Sequence, residues 1–155
     1  MTETVRSNTP ADILLIEDNP GDIRLTREAF EESHIANTLY VVTDGVEAMD
    51  FLNNRNEYAD APRPDLILLD LNLPRKNGTE FLKELHEEDP DLARIPIIVL
   101  TSSQAEEDIV KSYELRANAF MTKPVDPLEF IETIKTFEQF WLEVVRLPPN
   151  GGDDG

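Results

Sequence analysis

The chain has no cysteine, little positive charge and no long apolar run. Without cysteine there is no disulfide and no thiolate metal site, which agrees with a cytoplasmic protein. Its apolar runs stop at four to six residues, and Met1 to Ala11 is polar with no apolar signal core. A bilayer span needs ~20 apolar residues, so no membrane insertion is expected. Only 14 residues are Lys or Arg against 32 Asp or Glu, a formal net charge of −18. Such a surface repels nucleic acid and anionic lipid, and no direct nucleic-acid binding is expected. The excess is spread from Glu31-Glu32 to Asp153-Asp154. A diffuse bias fits adaptation to a salty cytoplasm better than one docking patch for a basic partner.

What the chain does have is alternation. Of its 155 residues, 40% are hydrophobic, enough for one core. Short apolar runs at 12–17, 38–43, 65–70, 95–100 and 119–122 read as strands. Between and after them, 22–33, 46–54, 78–89, 103–115 and 126–145 carry apolar residues at helical spacing. Asn19-Pro20-Gly21-Asp22 marks a break after the first strand. Ser103 with Glu106 has the spacing of a capping box, and Asp126-Pro127 is a cap followed by a first-turn proline. Strands that are apolar throughout, separated by helices, belong to a parallel sheet covered on both faces. The expected fold is α/β: a flavodoxin-like (βα)5 doubly wound five-stranded parallel sheet in the order 2-1-3-4-5. The expected organisation is a flexible segment over 1–10, one domain over 11–146 and a disordered acidic tail over 147–155, with no output domain.

The residues at the strand ends carry the chemistry. The first strand ends in Glu17-Asp18, and the third in Asp70 with Asn72 just beyond. The fourth ends in Thr101-Ser102 and the fifth in Lys123-Pro124. Taken singly, each is an ordinary turn, cap or surface residue. In a doubly wound sheet, however, these ends meet in the crevice where ligands bind. Clustered carboxylates repel, and a divalent cation relieves that. A donor set of oxygens with no His or Cys points to Mg2+ or Mn2+. A carboxylate can also act as a nucleophile toward phosphorus and become an aspartyl phosphate. A cation, a lysine and a hydroxyl would then neutralise the phosphoryl oxygens.

These residues resemble the receiver domain of two-component response regulators over about 11–146. The resemblance rests on Glu17-Asp18, Asp70 in "LLDLNLP", Gly78 eight residues on, Thr101 after "IIVL", and Lys123-Pro124. It implies that Asp70 is the phosphoacceptor for a sensor histidine kinase. It implies Mg2+ (or Mn2+) on Asp18, Asp70 and the Asn72 main-chain carbonyl, with Glu17 acting through water. Thr101, or its neighbour Ser102, and Lys123 would contact the phosphoryl group. Phe120 falls at the family's aromatic switch position: a phosphoryl group draws the Thr101 hydroxyl inward and vacates space for the ring. The surface formed by the helix over 103–115, the fifth strand and the last helix would then change its contacts with a downstream protein.

More narrowly, the chain looks like the single-domain regulators paired with cyanobacterial and bacterial phytochromes. The shared features are "NRNEYADAPRPD", "DLNLPRKNG", "SQAEEDIVKSYELRANAFMTKPVD" and "FWLEVVRLPP". The acidity departs from that subgroup and suggests a haloarchaeal relative. Some members form homodimers through the fifth strand and last helix. Here Ile134, Phe137, Phe140, Trp141, Val144 and Val145 give that helix more apolar surface than one sheet face needs, or else it folds back onto its own domain.

Three other readings fit less well. A haloacid-dehalogenase-like phosphatase also orders Asp, Thr or Ser, and Lys along its chain. It needs a second Asp two residues after the nucleophile, where this chain has Asn72, and its metal acids follow the lysine. A flavodoxin-like electron carrier needs a hydroxyl-rich phosphate loop where this chain has "EDNPGD". A binding module without phosphorylation would have no need of the full acidic set. At most, Mg2+-dependent autophosphorylation and autodephosphorylation are expected, with no turnover of an external metabolite.

Overall fold

Apolar side chains that alternate in direction along a strand must be covered on both sides of a sheet. The computed structural model describes residues 10–32, 36–71, 73, 78–88, 91–101, 119–122 and 126–141. Its strands are β1 (Ala11–Ile16), β2 (Asn37–Val42), β3 (Leu66–Asp70), β4 (Ile97–Thr101) and β5 (Ala119–Thr122). All pair in parallel, in the order β2-β1-β3-β4-β5. The described helices are α1 (Pro20–Glu31), α2 (Gly45–Leu52), α3 (Gly78–Glu88) and α4 (Pro127–Trp141). The sheet and its order are those the sequence pattern predicts. The helix expected over 103–115, both termini and the tail lie outside the described residues.

The alternation sorts the core into two layers. Leu14, Ile16, Ile67, Leu69, Ile97 and Val99 face α2 and α3, where they meet Met49, Phe51, Phe81 and Leu85. Ile13, Leu15, Leu66, Leu68, Ile98 and Leu100 face the other way, onto Ala29 and Phe30 of α1 and Phe130 and Ile131 of α4. The last helix therefore folds back on its own sheet through its first turns and packs beside α1. Lys135 Nζ lies 3.1 Å from Glu32 Oε1 across that seam, an exposed pair that adds little. The side chains of Phe137, Phe140 and Trp141 lie outside the description, as do Val144 and Val145 altogether.

Element boundaries differ from the sequence pattern in two instructive places. The pattern marks Asn19-Pro20-Gly21-Asp22 as a break, but α1 starts at Pro20 with Asn19 as its N-cap. Asn19 Oδ1 accepts from the Asp22 backbone N–H at 3.0 Å. Proline suits a first helical turn because its missing N–H would have no partner there anyway. The fourth strand starts at Ile97 instead of Ile95, because the Ile95 N–H is taken by Leu92 O in a short 3-10 turn over Leu92–Arg94.

The long segment after α2 is tied down. Asn54 and Asn56 both take left-handed backbone angles with φ of 55°, a region Asn tolerates. Asn54 Nδ2 donates to the carbonyls of Tyr58 and Ala61, at 3.2 and 2.7 Å. The Tyr58 ring is thereby laid against Phe51, which in turn meets Tyr40. Its hydroxyl donates to Glu47 Oε2 at 2.9 Å, while Glu47 Oε1 accepts from the Thr43 N–H and hydroxyl.

Burial, then the bond to Glu47, pushes the Tyr58 phenol above its ordinary range. The folded chain therefore holds this proton more tightly than the unfolded chain does. The associated stability is complete below about pH 10 and is lost as pH climbs through the raised native value. Tyr58→Phe is expected to cost about 0.5–1.5 kcal/mol at neutral pH and to flatten the alkaline fall in stability. Urea melts at pH 7 and above pH 10 measure both; an unchanged alkaline slope would contradict the assignment.

Candidate functional site

Register brings the first two acids together. Ile16 of β1 pairs with Leu69 of β3, so Glu17 and Asp70 follow at the same level on adjacent strands. With a side-chain period of two, they also leave the sheet on the same face as Leu15 and Leu68. Asp70 pairs with Leu100, one residue before Thr101, and Thr101 pairs with Thr122, one residue before Lys123. Four of the five strands thus contribute to one edge of the sheet at its carboxyl ends, astride the point where strand order reverses.

Glu17, Asp18 and Asp70 each place a carboxylate oxygen within 4.8 Å of the others. Glu17 and Asp70 are only 1% and 4% exposed, whereas Asp18 is open to solvent. The cluster is therefore a buried floor with one acid at its mouth. The Glu17 N–H bonds to Val42 O at 3.0 Å, and Glu17 Oε2 accepts from the Asn19 N–H at 3.2 Å. Three convergent carboxylates, joined among the described residues by no His or Cys, fit a hard divalent cation such as Mg2+ or Mn2+. Glu17, Asp18 and Asp70 would hold it.

Gly78 closes the floor from below. A Cβ at this position would lie 2.7 Å from Leu71 Cα and 2.8 Å from the Asp70 carbonyl oxygen. The Gly78 N–H also donates to Leu71 O at 3.1 Å. The first residue of α3 is thus pressed against the backbone that carries Asp70, and only glycine fits there without displacement.

Of the residues expected at the site, Glu17, Asp18 and Asp70 are brought together side chain to side chain. Thr101 and Phe120 are described as backbone only, at the end of β4 and within β5. Asn72, Ser102 and Lys123 lie outside the described residues. Asn19, hydrogen-bonded to Glu17, is a neighbour of the cluster that the sequence pattern does not single out. Its signal is an Asn directly before a Pro, the usual form of an N-cap with proline in the first turn.

This sheet and its acidic edge define a phosphorelay receiver. Residues 13–135 match the response regulator receiver domain, and the chain belongs to that family. Its function is phosphorelay signal transduction, and domains of this kind act mainly as phosphoacceptor switches that interact with histidine kinases. Among particular relatives, it is 47% identical over 142 residues to the response regulator Rcp1 of Synechocystis sp., covering 92% of this chain and 96% of that one. It is similar to the crystal structure of Mn2+-bound Rcp1, with a TM-score of 0.80 over 90% of this chain and 99% of that one. It is equally similar, at 47% identity and a TM-score of 0.80, to the phosphorylated cyanobacterial phytochrome response regulator RcpA, covering 86% of this chain and 95% of that one. Among the described residues, no helix is long and apolar enough to cross a membrane.

Gly78→Ala is expected to destabilise the fold by about 1–3 kcal/mol, because the methyl meets backbone, which cannot step aside as a flexible side chain can. Chemical denaturation reads this directly; a variant as stable as wild type would show that the α3 start has room to move.

Proposed function

We propose that Asp70 is the phosphoacceptor of a receiver working with Mg2+ or Mn2+. The observation that carries this reading is the convergence of Glu17, Asp18 and Asp70 within 4.8 Å at the carboxyl edge of the sheet. Asp18 and Asp70 would hold the cation with the Asn72 main-chain carbonyl, and Glu17 through water. When bound, the cation supplies positive charge beside the phosphoryl oxygens. The existence of an Mn2+-bound form of Rcp1 supports the choice of cation.

An Asp70 carboxylate oxygen attacks the phosphorus of a phosphohistidine, and the P–N bond breaks as the imidazole leaves. Lys123 and the hydroxyl of Thr101 or Ser102 steady the phosphoryl oxygens. Asp70 is 4% exposed, so the acyl phosphate forms on a sheltered group reached from the side that Asp18 borders. The new group carries up to about two negative charges, and drawing Thr101 toward it frees space for Phe120. The readout is a change in protein contacts on the surface formed by residues 103–115, β5 and α4. A homodimer through β5 and the C-terminal stretch that carries Phe137, Phe140, Trp141, Val144 and Val145 is one such contact, and a downstream protein is another.

The protein is proposed to be cytoplasmic, and its kinase partner a sensor histidine kinase. The kinship with a phytochrome response regulator supports a light-sensing one. The receiver unit is taken to span 11–146. The net charge of −18, spread along the chain, fits a salt-rich interior.

Intact-mass measurement at high salt, after incubation with Mg2+ and acetyl phosphate, tests the acceptor. Wild type is expected to gain one phosphate, Asp70→Asn none, and wild type without Mg2+ none. Equal labelling of Asp70→Asn would remove Asp70 from the role.

A further inference from the structure

Asn19 joins the acidic cluster to the start of α1. On one side, its backbone N–H donates to Glu17 Oε2 at 3.2 Å. On the other, its side-chain Oδ1 accepts from the Asp22 N–H at 3.0 Å, and its carbonyl accepts from the Ile23 N–H at 3.0 Å. Its backbone is extended (φ −82°, ψ 115°), as an N-cap requires. Gly21 leaves Oδ1 its room: a Cβ there would lie 3.2 Å away, tighter than ordinary contact. Two bonds to the helix therefore fix the residue whose third bond orients Glu17. Glu17 is 1% exposed, its backbone N–H is held by Val42 O, and its Oε2 accepts from this turn through the Asn19 N–H.

Resting on the cation reading above, we propose that Asn19 is a positioning residue for the divalent cation. Its capping of α1 holds the 17–19 turn so that the Glu17 carboxylate faces Asp18 and Asp70. Cap and cation then stabilise each other, because coupling between two equilibria is reciprocal. Groups that orient a metal ligand without touching the metal typically matter by about 10–100-fold in affinity. A cap that served only the fold would change stability and leave affinity alone.

The test uses the full chain with Mn2+ as probe, read from the paramagnetic resonance of the free ion. Asn19→Ala is expected to weaken Mn2+ binding by about tenfold. Asn19→Ser, whose hydroxyl can still cap, is expected to restore most of it. Ile131→Val, a core truncation in α4, is expected to lower the melting temperature with no change in Mn2+ affinity. Amide hydrogen exchange on wild type gives a second readout. Diamagnetic Mg2+ is expected to slow exchange at Asp22 and Ile23 more than at Phe130, whose N–H bonds to Asp126 O at the equivalent place in α4. The proposal is overturned if Asn19→Ala binds Mn2+ like wild type, if Ile131→Val weakens binding equally, or if Mg2+ slows all three amides alike. Wild type that takes up no Mn2+ overturns the cation reading itself, and this proposal with it.

Discussion

Three carboxylates crowded at the end of a parallel sheet repel one another, and the organisation of this receiver turns on that repulsion. At the longest separation compatible with the cluster, 4.8 Å, two unit charges at an effective dielectric of 20 repel by on the order of 3 kcal/mol. Glu17 and Asp70 are almost fully buried. A domain of this size has a net stability of only about 5–15 kcal/mol, so such a conflict is a large fraction of the whole. The two hydrophobic layers on either side of the sheet offset it. A divalent cation, if bound there as proposed, would turn the same repulsion into an attraction of all three acids toward one point. It would supply positive charge beside the phosphoryl group of the proposed phosphoacceptor Asp70.

The layers also explain why the acids converge. β1 and β3 are central and apolar along their length, so their register is set by the core, not by the acids. Slipping either strand by one residue would exchange the side chains of the two packed layers. Glu17 and Asp70 therefore stand side by side because Ile16 and Leu69 do. Gly78 adds the remaining constraint by bringing the start of α3 against the carbonyl of Asp70. The backbone that carries Asp70 is thus held between its neighbouring strands and the start of α3.

Much of this is legible in the sequence because it depends on period and punctuation. The five strands and their order follow from apolar runs separated by helical spacing, and the acids of β1 and β3 are conspicuous because each ends such a run. Other features are not legible, for particular reasons. Asn19-Pro20-Gly21-Asp22 has the composition of a break, and only the bond from the Asp22 N–H to Asn19 Oδ1 turns it into a helix start. The Tyr58–Glu47 bond joins residues on two elements and depends on left-handed angles at Asn54 and Asn56, which no period announces. The start of β4 moves to Ile97 because a local 3-10 turn competes for the Ile95 N–H. Strand type and order are set by long patterns; ends and side-chain bonds are set by single residues.

The most direct test of the central claim is thermal melting of wild type and Asp70→Asn at one high ionic strength, in EDTA and across a Mg2+ titration. If carboxylate repulsion is what the cation relieves, Mg2+ raises the wild-type melting temperature in a saturable way. Asp70→Asn, with one charge fewer, then melts at or above wild type in EDTA and gains little from Mg2+. A wild type indifferent to Mg2+, together with an Asp70→Asn variant that melts well below it in EDTA, would contradict the account.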